Sequence, residues 1–431
     1  MIYLKTMVTA LLLGSVPIQT ALAAECLPPD PTLMRGFPPP VEKRVTPENL
    51  MQHPQNRWAF QHMREVVPTR EIAHSEAPVS VITENPLDLD SLSFELPEGR
   101  KLSLTQWMQE SCTDSFLVMH RGKLVYERYF SGMTAATPHQ MFSATKSWVA
   151  TVALQLIEEG RLDPGRTMVS YIPELKGSAF AQATVQQVLN MTTSIRFSEE
   201  YTDPKADIWQ YGAVFAIGGT PGADYKGPRR VEEYLPTLNK GEAPHGKGFH
   251  YVTPNTDALA WINSRITGKS TSELFSERFL QPLGAEHGAY FWTAGGVEMA
   301  GGGLNISARD AARFGQMILN KGRFNGRQIL APAVAARILA PGNPDTFSVF
   351  YDDPWYQNVG YAYHDMWWTF DNAHKAVSAI GVHGQFIYLD PIANMVVIKQ
   401  SSHPDAEGAS NENDGPAIWH QIARHLMQHD H

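Results

Sequence analysis

A serine and a lysine three residues apart open an apolar helical segment, and this pair constrains the chain more than any other feature. Ser143 and Lys146 lie in the stretch 142–148, and apolar residues recur at helical spacing from there to Gly160. This spacing puts a hydroxyl and an amine on one helix face, one turn apart. The pattern predicts a serine nucleophile beside a base, at a helix N-terminus whose N–H groups favour negative charge.

The same spacing is weak evidence when it stands alone. A bare Ser-x-x-Lys pair is expected by chance roughly once or twice in a chain of this length. Ser143 as an ordinary N-cap, with Lys146 solvated in the first turn, explains the pattern about as well. Further motifs have to decide between the two interpretations.

The N-terminus has the features of an exported protein. Lys5 precedes an apolar run over residues 7–16, and Ala21 and Ala23 form a small-residue cleavage site, so residues 1–23 are interpreted as a secretory signal peptide. The apolar run is short for a membrane span. We therefore expect a secreted or periplasmic protein, cleaved near Ala23, with no stable membrane anchor.

Charge and cysteine content narrow the function classes. The chain has 35 basic and 44 acidic residues; cleavage removes Lys5, which leaves 34 against 44 and changes the formal charge from −9 to −10. An acidic protein without a basic tract argues against nucleic acid as a partner. Cys26 and Cys112 both remain after cleavage, and whether they form a disulfide is left open. Neither lies in a nucleophile motif.

Strand-like runs at both ends enclose a mainly helical middle. Residues 115–119 and 123–130 predict a hairpin around Arg121-Gly122, and the C-terminal part predicts strands over residues 366–370, 376–389 and 395–401. This order predicts an α+β fold, with one antiparallel sheet built from both chain ends and flanked by helices. The expected organisation is a signal peptide (1–23), a proline-rich arm (24–98) and a hydrolase domain (99–431) with a helical, loop-rich insertion over roughly 165–345.

Local signals mark several helix starts. Ser103 and Thr184 are each followed three residues later by glutamine, which is the pattern of a capping box. Thr253-Pro254 predicts an N-cap and first turn, and Ser307 predicts another cap. Residues 190–248 are irregular, and whether they close over a substrate is left open.

Two further stretches are candidates for chemistry. Tyr251 lies just before the helix at Pro254, where its hydroxyl could relay a proton from a lysine kept neutral by burial; the alternative is an ordinary half-buried tyrosine. Gly381 lies in a strand-like run, where glycine often marks close approach by a ligand or another backbone. The end of that strand could supply a second oxyanion donor, or it could be a bulge.

Histidines near the C-terminus suggest a metal at first sight. His425 and His429 are one helical turn apart, with His420 and His431 nearby. A solvated terminal helix over residues 416–427 explains them better, since no zinc motif is present. No metal and no cofactor are therefore expected.

The stretches around Ser143, Tyr251 and Gly381, in this order and spacing, resemble the serine β-lactamase and penicillin-binding-protein superfamily. The likeness is to its class C-like branch, and within it to the 6-aminohexanoate-dimer hydrolases. It extends from residues 56–60 through 200–204 and 255–261 to 381–385. The resemblance implies a β-lactamase/DD-peptidase-like fold and cleavage of small linear amides through an acyl-enzyme.

Other activities remain open within and beyond that branch. A carboxylesterase acting on short-chain esters is the main alternative, and a β-lactamase/DD-peptidase or a binding protein without turnover is a weaker one. The expected partner is thus a small-molecule amide or ester. Oligomeric state is not predicted.

The resemblance also implies residue roles. Ser143 would be the acylated nucleophile, Lys146 its base and Tyr251 the proton shuttle, and the backbone N–H groups of Ser143 and Val382 would form the oxyanion hole. Tyr201 would hold the substrate amide nitrogen.

The chain departs from the β-lactamase pattern in two motifs. Thr253 stands where the second motif usually has asparagine, and Ala379-Ile380-Gly381 stands where the third usually reads Lys-Thr-Gly. A register with His383 in the lysine's place is the alternative. Loss of that lysine removes a cation for a β-lactam carboxylate. We assign Tyr201, Thr253, Asn255 and His383 to substrate binding.

Overall fold

The structure is a computed structural model that describes residues 25–429, apart from residues 77, 97–98, 220–221, 223 and 348–360. The expected signal peptide, residues 1–23, lies outside the described residues, and so does His431. Among the helices of the described part, none is long and apolar enough to cross a membrane.

The strands, numbered in chain order, have these bounds: β1 Thr69–Ile72, β2 Thr83–Glu84, β3 Ser93–Glu95, β4 Lys101–Ser103, β5 Thr113–His120, β6 Lys123–Tyr129, β7 His139–Gln140, β8 Ala289–Ala294, β9 Val297–Glu298, β10 Leu304–Ile306, β11 Arg323–Phe324, β12 Arg327–Gln328, β13 Tyr361–His364, β14 Trp367–Phe370, β15 Val377–Gly381, β16 Gln385–Asp390 and β17 Met395–Ser401.

The α-helices have these bounds: α1 Gln55–Ala59, α2 Met63–Val66, α3 Leu104–Glu110, α4 Thr145–Glu158, α5 Val185–Leu189, α6 Asp207–Val214, α7 Val231–Tyr234, α8 Pro254–Thr267, α9 Thr271–Phe275, α10 Gln281–Leu283, α11 Ala308–Leu319, α12 Pro332–Ile338, α13 Pro344–Phe347, α14 Ala409–Glu412 and α15 Asp414–Gln428. Short 3-10 turns include Phe142–Ala144, directly before α4, and a π-helical turn, Ser276–Leu280, links α9 to α10.

The central sheet joins the two ends of the chain, as predicted. Its order in the described residues is β13-β14-β15-β16-β17-β5-β6-β2. All neighbours are antiparallel except β2, which pairs with β6 in parallel. The expected hairpin is present, because β5 and β6 meet around residues 121–122. The α+β fold class is therefore confirmed.

One predicted strand is two strands. Residues 376–389 form β15 and β16, which pair as a hairpin with Gly381 opposite Gln385. The turn between them includes His383 and Gly384, both with positive φ. The sequence did not reveal this turn, because the two buried strands and the tight turn between them have a similar composition. All three are rich in apolar residues and glycine.

A second sheet in the described residues was not predicted. It has the order β1-β8-β10-β7, with β9 paired to β8. Its partners are far apart in sequence: β1 comes from the segment before residue 98 and β8 from the region expected to be helical. Strands of two to six residues carry little local signal, so tertiary pairing decides their conformation.

Helices cover both faces of the central sheet. Along β16 alternate residues point to opposite faces: Phe386 and Tyr388 contact Trp419 of α15, with ring centroids 4.8 and 5.2 Å apart. On the other face, α11 packs at Gly315, where an added Cβ would lie 2.9 Å from Leu389. α4 lies on the α11 side, because Trp148 stacks on Phe314 at 3.6 Å.

The segment before residue 98 is tied to the main body by a buried ion pair. Arg57 Nη1 lies 3.1 Å from Asp114 Oδ1, and the two side chains are 6% and 0% exposed. His139 Nε2 and Ser402 Oγ also contact Asp114 Oδ2 at 3.2 and 2.5 Å. Although burial raises the pKa of Asp114, Arg57 and His139 hold it below its usual value. The carboxylate is therefore charged and paired.

Cys26 and Cys112 form a disulfide, which settles the pairing that the sequence left open. Their Cα atoms are 5.5 Å apart and the cysteines are 86 residues apart in sequence. The bond fixes the start of the described chain to the residue that precedes β5.

Most predicted helix starts agree with the structure. Ser103 and Thr184 form complete capping boxes, and the Ser307 side chain accepts from the N–H of Asp310. Thr253 is an exception: it precedes α8 but makes no side-chain cap. Its hydroxyl donates to Glu199 instead, so the residue serves the site described next.

Candidate active site

The turn that carries Ser143 is held by the second sheet. β7 pairs with β10, and the N–H of Met141 donates to the carbonyl oxygen of Leu304 at 2.8 Å. Phe142 then adopts φ +43°, a left-handed conformation that is uncommon for a bulky residue and costs about 1–3 kcal/mol. Strain of this kind recurs at functional sites, where the surrounding structure maintains it.

Ser143 and Lys146 are in contact. Lys146 Nζ donates to Ser143 Oγ at 2.8 Å and to the carbonyl oxygen of Gly301 at 2.8 Å. The lysine is 1% exposed, whereas Ser143 is half-buried at the surface of the site. The interpretation of Lys146 as a solvated first-turn residue is thus wrong.

Burial changes the proton affinity of this lysine. Loss of hydration lowers the pKa of Lys146 to about 8, while the nearby carboxyl groups of Glu199 and Asp257 act in the opposite direction. A lysine with this pKa has a sizeable neutral fraction near pH 8. It can therefore accept a proton from a hydroxyl group.

Tyr251 lies beside the pair. Its ring centroid is 5.0 Å from Lys146 Nζ, and its ring stacks on Trp368 and meets Tyr363 edge-on, at 5.8 and 6.0 Å. These aromatic neighbours fix the ring against the lysine. The structure thus brings together all three residues for which catalytic roles were expected.

Gly381 brings the end of β15 against the Ser143 turn. A Cβ at this position would lie 2.3 Å from the carbonyl oxygen of Met141 and 3.0 Å from the backbone nitrogen of Ser143. Only glycine permits this approach. Gly381 therefore packs directly against the Ser143 turn, which supports the register Ala379-Ile380-Gly381 for the third motif.

Glu199 was not predicted, yet it connects the residues on one side of the site. It accepts hydrogen bonds from the backbone N–H of Thr253, from the Thr253 hydroxyl at 3.0 Å and from the Tyr201 hydroxyl at 3.1 Å. Burial raises the pKa of Glu199, and Lys146 opposes this. Tyr201 and Thr253 thus lie at the site, but the structure shows them bonded to Glu199 rather than to a ligand.

Asp257 is a second buried carboxyl group near the lysine. It is 4% exposed and accepts from the Tyr211 hydroxyl at 2.7 Å and from the N–H of Ala300 at 3.1 Å. Burial raises the pKa of Asp257 to about 7, while the bond from Tyr211 and the charge of Lys146 oppose the rise. Its backbone partner Ala300 precedes Gly301, so Asp257 helps to hold the carbonyl that receives Lys146.

Asn255 does not occupy the substrate position expected for it. It is 0% exposed, and its side-chain nitrogen donates to Thr193 Oγ1 at 2.9 Å. A fully buried amide with protein partners offers no surface to a substrate. Asn255 instead joins α8 to the segment that follows α5.

His383 also differs from expectation. It is 4% exposed, its Nδ1 lies 2.7 Å from the carbonyl oxygen of His403, and its ring lies among Phe60 and Phe142. Burial lowers the pKa of His383 to about 4. The side chain is therefore neutral at pH 7 and cannot replace the lysine of the third motif as a cation.

Weak sequence signals could have indicated the unpredicted residues. Asp257 lies one turn into α8, three residues after Pro254, and a run of three glycines at 301–303 marks close packing of the backbone. Glu199 and Thr253 are 54 residues apart, so no local pattern connects them. In the described residues, the group best suited to hold a metal lies elsewhere, at His374, Asp390 and His420.

A family comparison agrees with this arrangement. The family model described as Beta-lactamase matches residues 107–415, a span that includes Ser143, Lys146, Tyr251 and Gly381. The chain belongs to the beta-lactamase family.

Relatives within this family share most of the chain. A 6-aminohexanoate-dimer hydrolase from Paenarthrobacter ureafaciens is 33% identical over 374 residues, which cover 86% of this chain and 91% of the relative. A solved structure from Bacillus anthracis, provisionally named a 6-aminohexanoate-dimer hydrolase, has a TM-score of 0.80 and 32% identity, and covers 89% of this chain and 97% of that one.

A more distant structure shares the fold alone. A family VIII carboxylesterase has a TM-score of 0.53 and 18% identity, and covers 72% of this chain and 92% of that one. The β-lactamase-like fold and the resemblance to 6-aminohexanoate-dimer hydrolases are thereby confirmed.

Proposed function

We propose that this protein is a serine hydrolase that cleaves small linear amides through an acyl-enzyme, with 6-aminohexanoate dimer as a model substrate. The contact between Lys146 Nζ and Ser143 Oγ, at 2.8 Å, carries the proposal. It joins a nucleophile to a base whose pKa is lowered to about 8 by burial. The relatives named 6-aminohexanoate-dimer hydrolases direct the proposal to linear amides.

The first step forms a tetrahedral intermediate on Ser143. Neutral Lys146 takes the Ser143 proton as Oγ attacks the substrate carbonyl carbon, which gives a tetrahedral intermediate with a negative oxygen. The N–H groups of Ser143 and Val382 would stabilise this oxygen, and one such donor contributes roughly 3 kcal/mol. The proximity of Gly381 to the Ser143 nitrogen supports this pair of donors.

Collapse of this intermediate forms the acyl-enzyme, and hydrolysis of the acyl-enzyme follows. The Tyr251 hydroxyl gives its proton to the leaving nitrogen as the carbon–nitrogen bond breaks, and the proton held by Lys146 replaces it. A water molecule then attacks the ester carbonyl as Lys146 and Tyr251 take its proton, and that proton passes to Ser143 Oγ as the carboxylic acid leaves. The position of the Tyr251 ring beside Lys146 supports this role.

The chemistry of the third motif favours linear substrates over β-lactams. Ala379 stands in the lysine position and His383 is neutral at pH 7. A β-lactam carboxylate would thus lack the fixed cation expected there. Tyr201, whose hydroxyl donates to Glu199, would contact the amide nitrogen of a substrate bound over Ser143.

We also propose that the protein is exported. Residues 1–23 have the pattern of a cleavable signal peptide, and the Cys26–Cys112 disulfide suits an oxidising compartment. Expression with the full leader, followed by mass analysis of the periplasmic protein, tests this. A mature chain that begins near residue 24 is expected, and an intact leader on cytoplasmic protein would contradict it.

Turnover of 6-aminohexanoate linear dimer tests the function. The mature protein should release 6-aminohexanoate, and a Ser143→Ala variant should not. Cleavage of a short-chain p-nitrophenyl ester without cleavage of the dimer would be consistent with Ser143 as the nucleophile. It would reassign the protein as an esterase. If the protein cleaved neither the dimer nor the ester, the proposal would be contradicted.

A further inference from the structure

Three side chains that can bind a metal meet at the edge of the central sheet where β16 ends. They are His374, which lies between β14 and β15, Asp390, the last residue of β16, and His420 in α15. One ligand atom from each can be chosen so that all lie within 4.8 Å of one another. The imidazole rings of His374 and His420 have centroids 4.5 Å apart.

This cluster lies far from the active site. Gly381 and its partner Gln385 are at the Ser143 end of the β15–β16 hairpin, and Asp390 is at the opposite end of β16. The six residues of β16 span about 17 Å at 3.3 Å per residue. The cluster is therefore separate from the hydrolytic machinery.

His420 has a buried nitrogen without a partner. Its Nδ1 has an accessible area below 1 Å² and makes no hydrogen bond among the described residues. A buried polar atom left unpaired costs roughly 1–3 kcal/mol.

Asp390 supplies a negative charge that is fixed in place. It is 0% exposed, and its Oδ1 accepts from the N–H groups of Ile392 and Ala393 at 3.1 and 2.8 Å. Its Oδ2 is 2.6 Å from His374 Nδ1. Carboxylates take two roles at zinc sites: some are direct ligands, and others orient a histidine that is a ligand.

We propose that His374, Asp390 and His420 form a binding site for one divalent transition-metal ion, with Zn²⁺ the best match. Imidazole nitrogens and carboxylate oxygens are ligand types that zinc accepts. The ion would join α15 to the β15–β16 hairpin and satisfy His420 Nδ1. The proposal revises, for His420 alone, the expectation that the C-terminal histidines bind no metal; His425 and His429 contact each other at the helix end.

Zinc binding to mature protein treated with a chelator tests the site. Titration calorimetry with ZnCl₂ should give one bound ion, and Co²⁺ in its place should give the visible absorption of a nitrogen-ligated tetrahedral ion. His420→Gln and His374→Gln should each weaken binding by roughly tenfold or more. His425→Gln, on the same helix, is the matched control and should bind as the wild type does.

A second measurement needs no variant. Zn²⁺ should protect His420 from diethyl pyrocarbonate, whereas His425 should stay reactive, as read by peptide mass spectrometry. Ester or amide turnover verifies that each variant is folded, because the active site is distant. Equal zinc affinity in His420→Gln and the wild type, loss of binding in His425→Gln alone, or no protection of His420 would overturn the proposal.

Discussion

Lys146 Nζ lies 2.8 Å from Ser143 Oγ and is directed there by a second bond, to the carbonyl oxygen of Gly301. Both acceptors are uncharged, so the amine can lose its proton without leaving a bonded carboxylate unpaired. Asp257 holds the backbone at Ala300, the residue before Gly301. The fold therefore positions the proposed base, and burial lowers its pKa so that part of its population is neutral.

Removal of the base should abolish most of the activity. We expect Lys146→Ala to lower kcat/KM roughly a hundred- to ten-thousandfold, since proton transfer by a positioned base contributes that much. Steady-state kinetics on a p-nitrophenyl ester measures this. Lys269→Ala, at an exposed lysine, is the control, and a Lys146→Ala enzyme as active as this control would refute the role of Lys146.

The pH profile should report the lysine. Because the base must be neutral, kcat/KM should rise as pH increases through about 8, the lowered pKa of Lys146. Glu199 raises that pKa, so Glu199→Gln should move the rising limb to lower pH. Glu200→Gln, at the exposed neighbour, should leave the limb in place. An unchanged limb in Glu199→Gln would show that another group controls the rate.

The contact at Gly381 should tolerate no side chain. In Gly381→Ala the new Cβ would lie 2.3 Å from the carbonyl oxygen of Met141, and overpacking of this kind costs about 1–3 kcal/mol. We expect a lower free energy of unfolding and a lower kcat, because the Ser143 turn must shift. Denaturant unfolding and kinetics measure both. Gly222→Ala, where an added Cβ meets nothing within 4 Å, should match the wild type.

Loss of Arg57 should destabilise the whole chain. Arg57→Ala leaves the buried carboxylate of Asp114 without its cation, and breaking a buried pair from one side costs about 3–5 kcal/mol. Urea unfolding measures the change. Arg35→Ala, at an exposed arginine of the same segment, should change the free energy of unfolding by less than about 0.5 kcal/mol. Equal stability of the two variants would argue against a structural role for the pair.

Local patterns predicted those parts of the structure that are local. Ser143 and Lys146 are one turn apart, and the β5–β6 hairpin turns within two residues, so neighbouring residues determine both. Glu199 and Thr253 meet across 54 residues, and Arg57 meets Asp114 across a similar distance. Such contacts depend on the whole fold, and no spacing in the sequence encodes them.

The same dependence on distant residues explains why two substrate-binding assignments, His383 and Asn255, differ from the structure. His383 was assigned to substrate binding through the alternative register that puts it in the lysine's place, but its ring turns inward against Phe60, a residue from the N-terminal segment. Asn255 was expected there because it lies near Tyr251, but the turn of α8 directs it to Thr193. Proximity in sequence identified the right elements, while the direction of each side chain depended on packing from distant residues.

The most direct test of the account is the site of acylation. Mature protein mixed with p-nitrophenyl acetate and quenched in acid should carry an acetyl group on the peptide that contains Ser143, and Ser143→Ala should carry none while it unfolds at the same denaturant concentration as the wild type. An acetyl group on another residue in the wild type, with full turnover in Ser143→Ala, would contradict the assignment of Ser143 as the nucleophile.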